Sequence, residues 1–300
     1  MYQQSAGQIQ LQEGPMAPMK VYGWVVSPWM ARVLVALEEA GAEYEVVPMS
    51  RSGGDHRRPE HLARNPFGEI PVLEDGDLTL YQSRAIARYI FRKYKPEFLG
   101  LGEGGSLEES AMVDVWLDVE AHQHEAAVRP ILWHCIINKF EGRDRDQGVV
   151  DESVRKLEKV LGVYEARLSG SRYLAGDRIS LADLSHFSNM RYFMATEYAG
   201  VVDAYPHVKA WWEALLARPT VQKVMAGMPP DFGFGTILSV LVSDLTASSV
   251  TVLVALSMRR TSLVMGDVIL LLSFPPTPVQ VVAKVVIISG QWGLPTLSSW

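Results

Sequence analysis

One cysteine, Cys135, stands in the whole chain of 300 residues. A lone thiol excludes an internal disulfide and a CxxC redox pair, and it suits a reducing compartment, so the cytoplasm is the expected location. The sequence also lacks a G-x-G-x-x-G turn, a Walker loop and the Cys/His spacing of a zinc site, so no metal is expected. Positive charge is not in excess. Lys and Arg number 28 against 34 Asp and Glu, a net charge of −6, which argues against nucleic acid or an anionic membrane as the main partner. The opening MYQQSAGQIQLQEGP has neither the basic start nor the apolar core of a secretory signal. Residues 1–18 read as a disordered extension, with Met16 as a more natural start.

Long hydrophobic runs are missing too. From Gly233 onward only Asp244, Arg259, Arg260, Asp267 and Lys284 carry charge, and there is no Glu, His or Tyr. That composition raises the question of a membrane anchor. Yet the uncharged run from Leu245 to Met258 is short, and the stretch from Val268 to Ala283 is broken by PPTP. None supplies the roughly 18 to 20 apolar residues that spanning demands. Residues 233–300 read as an appended, poorly patterned tail, and membrane association is not expected.

What is present is the balance of a globular protein, 48% hydrophobic and 21% charged. KVYGWVV is β-branched and aromatic, as a first strand should be. SPWMARVLVALEEAG follows as a helix: Ser27 is a good N-cap, Pro28 suits the first position and Gly41 stops it. EYEVVPMS gives a second strand, and DHRRPEHLARNP a polar turn with a short helix. IPVLED and LTLYQ form a hairpin about DGD, and a helix restarts at Ser83. The order is βαβ, then α, then ββα.

Residues 97–106 are a Gly-rich linker, and residues 107–232 read as all-helical. Met112, Val115, Trp116 and Val119 share one helical face; Val154, Leu157, Leu161, Tyr164 and Leu168 share another. Ser180 and Asp183 have capping-box spacing, and AYPHVKAWWEALLARP is the last strong helix, with Trp211 as core and Trp212 as rim.

Several residues could carry chemistry, each beside a plainer role. Pro71 heads a strand, where proline costs no ladder bond. A cis Ile70–Pro71 bond would instead turn the backbone of Ile70 outward to pair with an extended peptide. Ser27 is an ordinary cap, yet its hydroxyl also sits at the positive end of a helix dipole. A thiol held there would be stabilised as thiolate. Lowering a free thiol from about 8.5 by about two units takes roughly 2.7 kcal/mol, the size of a dipole contribution plus one charge-assisted hydrogen bond. Gln82 and Ser83 repeat that arrangement at another helix start, and His56 with Arg57 could clamp a carboxylate. His122 and His124, two apart on a helix, face different sides and make poor metal ligands. Cys135 reads as inert core.

Together SPWMARVLVALEEAGAEYEVVP, HRRPEHLARNPFGEIPVLEDGDLTLYQSRAIARYI, AMVDVWLDVEA and VLGVYEARLSGSRYLAGDRISLADLSH resemble a cytosolic glutathione transferase, most closely the plant phi class, from about Met16 to Met228. The resemblance implies a thioredoxin-like domain, residues 19–96, followed by an all-α domain, with glutathione as co-substrate and a homodimeric assembly. It implies that Ser27 holds the glutathione sulfur, that His56 and Arg57 meet the glycine carboxylate, that the Ile70 backbone before cis Pro71 pairs with the cysteinyl part, and that Ser83 meets the γ-glutamyl carboxylate. Two positions depart from the common pattern: Glu69 stands where Gln often precedes the proline step, and Gln82 where Glu often precedes the serine. Pro28, Trp29, Trp133 and Ile137 would line the second-substrate pocket between the domains, where flat aromatic electrophiles would stack. The implied function is conjugation of glutathione to hydrophobic electrophiles, with a hydroperoxide-reducing side activity. A non-catalytic carrier on the same fold is the alternative.

Overall fold

A computed structural model describes residues 18–51, 53–230 and 232, together with three short strands further on. The extension before Pro18 and most of the tail lie outside the described residues.

The first half is a four-stranded mixed sheet in the order β2-β1-β3-β4. Its strands are β1 (Met19–Gly23), β2 (Tyr44–Pro48), β3 (Val72–Asp75) and β4 (Leu78–Tyr81). β1 runs parallel to β2, with Met19 beside Tyr44, and antiparallel to β3, with Val21 beside Leu73. The parallel pair needs a crossover, which α1 (Pro28–Ala40) supplies; α2 (Pro59–Arg64) and α3 (Ser83–Tyr94) complete the thioredoxin-like half. Ser27 caps α1, and Gly41 ends it in the left-handed region at φ 63°, as its lack of a Cβ permits.

α1 is buried on nearly every side, as a helix that is apolar all round must be. It packs on α3 below and on α8 (Leu181–Phe193) and α10 (Pro219–Met225) of the helical half. One helix therefore carries Ser27 at its start and joins the two halves along its length.

The helical half begins with α4 (Leu107–Val119). A π-helical turn (Glu120–His124) leads into α5 (Glu125–Leu132), and a second (Trp133–Ile137) into the short α6 (Asn138–Phe140). Then come α7 (Gln147–Leu168), α8 and α9 (Pro206–Leu216). Single-turn π segments re-aim the residues that follow them and occur often at functional sites. Among the described residues no helix is long and apolar enough to cross a membrane.

Several sequence expectations need correction. On α4 the buried residues are Val113, Trp116 and Leu117, while Met112 and Val115 are exposed. Trp212 is as buried as Trp211 and stacks on Phe187, so it is core and not rim. Cys135 is half-buried at the edge of the core, and burial pushes its thiol up to about 11. The last helix of this half is α10, which starts at Pro219. In the tail, β5 (Leu253–Ala255), β6 (Val268–Leu272) and β7 (Val281–Val285) form an antiparallel sheet of their own.

Candidate functional site

Ser27 sits on the turn between β1 and α1. Ser27 is 2% exposed, and its Oγ accepts only a long 3.5 Å bond from the Met30 N–H. The hydroxyl proton is thus not consumed by the cap. The turn itself is pinned from the helical half, because the Tyr192 hydroxyl donates to the Val26 carbonyl at 2.5 Å.

Ile70–Pro71 is cis, as the resemblance implied. The residue before it is fixed by two buried side chains that local sequence reasoning did not single out. His61 Nε2 and Asn65 Nδ2, both from the α2 region, donate to the Glu69 carbonyl at 2.9 and 2.8 Å. Ile70 itself lies against Gly23, where an added Cβ would come within 3.3 Å of its side chain. The Ile70 N–H and C=O make no backbone hydrogen bond among the described residues. Glu69 and Gln82 are both exposed.

His56 and Arg57 sit on a 3₁₀ turn, Asp55–Arg57, with the His56 ring edge-on to Trp24 at 5.5 Å. Burial, and after it the electrostatic influence of Arg57, His61 and Arg51, push His56 below the ordinary imidazole range. Arg57 Nε donates to His56 Nε2 at 3.3 Å, which requires that nitrogen to be unprotonated. The His56 ring is therefore neutral in this arrangement.

Ser83 opens α3 after Gln82, whose φ of 72° is in the left-handed region; such a conformation is uncommon for a residue with a Cβ. The Ser83 hydroxyl is not simply exposed at a helix start. It is buried and accepts a 2.8 Å bond from Arg32 Nη1. Arg32 is fully buried, and its Nη2 reaches Glu120 Oε1 at 2.9 Å and Glu125 Oε2 at 3.2 Å. Arg84 reaches the same two carboxylates, at 2.7 and 2.5 Å. Burial works to raise the Glu125 carboxyl, but the two guanidiniums and the Trp29 N–H beside it hold it at about 2. Two cations and two anions so form a neutral buried cluster under Ser83, bridging both halves. The sequence held one signal for it, a single arginine inside the apolar run MARVLVAL; a buried charge requires a partner.

On the other side of Ser27, Pro28 is buried and Trp29 half-buried. The Trp29 indole N–H donates to Glu125 Oε1 at 3.1 Å, which fixes the ring between the halves instead of turning it to solvent. Arg129 lies over the Trp29 ring at 5.5 Å and over the Trp133 ring at 6.0 Å. Trp133 belongs to the second π-helical turn and is half-buried. Ile137, one turn on, is only 4% exposed. Arg129 had no place in the sequence reading.

With this geometry in view, comparison with known proteins is decisive. A model of the glutathione S-transferase N-terminal domain matches residues 17–92, and one of the C-terminal domain matches residues 124–219. Glutathione S-transferase 4 of Zea mays is 63% identical over 215 residues, which cover 72% of this chain and 95% of that relative. The chain belongs to the glutathione S-transferase family. A probable glutathione S-transferase of Oryza sativa subsp. japonica, GSTF1, is 57% identical and covered to 99%. Within the family these relatives are plant phi-type proteins, in agreement with the class that the residues suggested. Among solved structures, the maize glutathione S-transferase I in complex with an atrazine–glutathione conjugate is 57% identical, with a TM-score of 0.68 over 71% of this chain and 99% of that one. A glutathione S-transferase-I bound with the ligand lactoylglutathione is likewise 57% identical, with a TM-score of 0.68 over 71% of this chain and 100% of that one.

Proposed function

We propose that this glutathione transferase joins the thiolate of glutathione to flat hydrophobic electrophiles, with Ser27 keeping the thiol deprotonated. The observation that carries the reading is the state of Ser27: a buried hydroxyl at the start of α1, with its proton free to donate. Its position favours turnover over mere carriage of a ligand. The helix dipole and one hydrogen bond favour the anion. The thiol proton passes to solvent, the thiolate attacks the electrophilic carbon, a C–S bond forms, and with an aromatic halide the carbon–halogen bond breaks as halide leaves with the electron pair.

The other residues supply binding and alignment. Ser83, with its oxygen already accepting from Arg32, has its proton to offer the γ-glutamyl carboxylate. Arg57, beside neutral His56, meets the glycine carboxylate. The free backbone of Ile70 before Pro71 pairs with the cysteinyl unit. Glu69 stands in for the carboxylate that position 82 lacks, while Gln82 offers an amide. Pro28, Trp29 and Trp133 receive the electrophile, with Ile137 behind them.

The assembly we propose is a homodimer, supported by apolar side chains exposed in the single chain: Phe67 at 69%, Leu107 at 79%, and Met112, Val115 and Tyr81. The domain division at residues 97–106 and a cytoplasmic location belong to the same proposal; a single free cysteine suits a reducing compartment.

The test is a pH–rate profile for conjugation of glutathione to an aromatic halide, wild type against Ser27→Ala. The wild-type acid limb should lie about two units below the free thiol value, and the variant should lose roughly 10- to 100-fold in rate near neutrality and recover at high pH. Full activity of Ser27→Ala at neutral pH would refute the assignment.

A further inference from the structure

We propose that Arg129 makes the second-substrate side of the cleft select flat aromatic electrophiles that carry a carboxylate. The inference rests on the conjugating function above and names the chemistry of the second substrate.

Glu125, Arg129 and Trp133 follow one another at four-residue spacing, which places them on one helical face. Trp29 comes from the opposite half, two residues after Ser27. The Arg129 guanidinium lies over both indoles, at 5.5 and 6.0 Å, so two π faces hold it in place. The nearest carboxylate on its own face is not available to it. Glu125 is held by Arg32, Arg84, the Trp29 indole and Asn189 Nδ2 at 3.2 Å. Among the described residues Arg129 has no ion-pair or hydrogen-bond partner. Other arginines differ: Arg84, Arg88, Arg143 and Arg145 are each paired with acids.

An exposed arginine is ordinarily a solvated surface charge. This one is oriented by two tryptophans beside the helix start that holds the nucleophile, and its donors are unspent. Its planar fork matches a carboxylate in bidentate geometry, while a ring bearing that carboxylate can stack on an indole. The carboxylate acts as a handle only. Sulfur adds at the ring carbon that carries the halogen, the halide leaves with its electron pair, and the acid group is unchanged.

A matched pair of acceptors tests this: chlorodinitrobenzene and its acid analogue, chlorodinitrobenzoate, with wild type, Arg129→Gln and Arg129→Lys. Intrinsic reactivity cancels when the acid-to-neutral ratio of kcat/KM is compared between proteins. That ratio should fall roughly tenfold in Arg129→Gln, chiefly through KM of the acid, and be partly regained in Arg129→Lys. Raising salt should shrink the wild-type preference. A second readout needs no turnover: quenching of tryptophan fluorescence by dinitrobenzoate and by dinitrobenzamide, without glutathione. Wild type should bind the acid more tightly than the amide, and Arg129→Gln should not. An unchanged ratio together with an unchanged binding preference in Arg129→Gln would overturn the proposal. Failure of wild type to turn over the neutral acceptor would instead overturn the conjugating function, and the quenching result would still decide the role of Arg129.

Discussion

The residue with the most consequences beyond its own position is Arg32. It lies one turn into α1, touches no reacting atom in the scheme above, and yet fixes Ser83 from beneath while neutralising Glu120 and Glu125. Removing one partner of a buried ion pair typically costs about 3 to 5 kcal/mol, because the other charge is left uncompensated. Arg32→Met should therefore lower the unfolding free energy obtained from urea titration by an amount in that range. In protein that still folds, KM for glutathione should rise more than kcat falls. A variant as stable as wild type would show that the cluster is dispensable. Ser27, Ser83 and Pro71 were legible in the sequence because capping and proline signals are local. Arg32 showed only as a charge inside an apolar run, and its partners could not be read, since they lie 51, 88 and 93 residues away. His61 and Asn65 escaped for another reason: their target is a backbone carbonyl, which leaves no mark in the sequence.

At the scale of elements, the strands and helices of the first half follow their sequence signals closely, because turns such as EDGD and caps such as Ser27 set boundaries within a few residues. The capping box of α8 is a further instance. Asp183 accepts from the Ser180 N–H and the Leu174 N–H at 2.9 Å and from the Trp211 indole at 3.0 Å. Asp183→Ala would remove the cap and strand buried donors. A loss of about 3 kcal/mol is expected, readable as a lower thermal midpoint, with Asp183→Asn losing less. Where the sequence misled was α4, whose apolar residues cover two faces. Periodicity could not tell the face that packs on the core from one left outward, where Met112 and Val115 stand. The π-helical turns that place Glu125 and Trp133 were likewise illegible, since an extra residue in a turn changes no composition.

For the molecule as a whole, pH dependence follows from the helical core. Burial first of all holds His124 down at about 4 and keeps His186 well below the ordinary imidazole value. The His186 ring stays neutral, with Nδ1 donating to the Ala182 carbonyl at 2.7 Å and Nε2 accepting from the Tyr164 hydroxyl at 2.8 Å. Both imidazoles take up protons more readily in the unfolded chain. Their contribution is complete above about pH 6.5 and is lost as pH falls below it, for His124 down to about 4. The expected slope reaches about 1.4 kcal/mol per pH unit for each histidine, and urea titrations across that window would reveal it. His124→Phe should flatten the slope by one proton. The tail makes its sheet from its own strands, and the maize relative aligns with 72% of this chain. A chain ending after Phe232, whose ring stacks on Tyr192 at 3.7 Å, should keep its conjugating activity in the same assay.

In the proposed scheme, the arrangement around Ser27 serves to present a sulfur that is already an anion when the second substrate arrives. Ultraviolet difference titration of glutathione bound to the wild-type protein measures that ionisation without any turnover. The bound thiol should titrate about two units below its free value of about 8.5, and should return toward that value in Ser27→Ala. A bound thiol that titrates like the free tripeptide in the wild-type protein would contradict it.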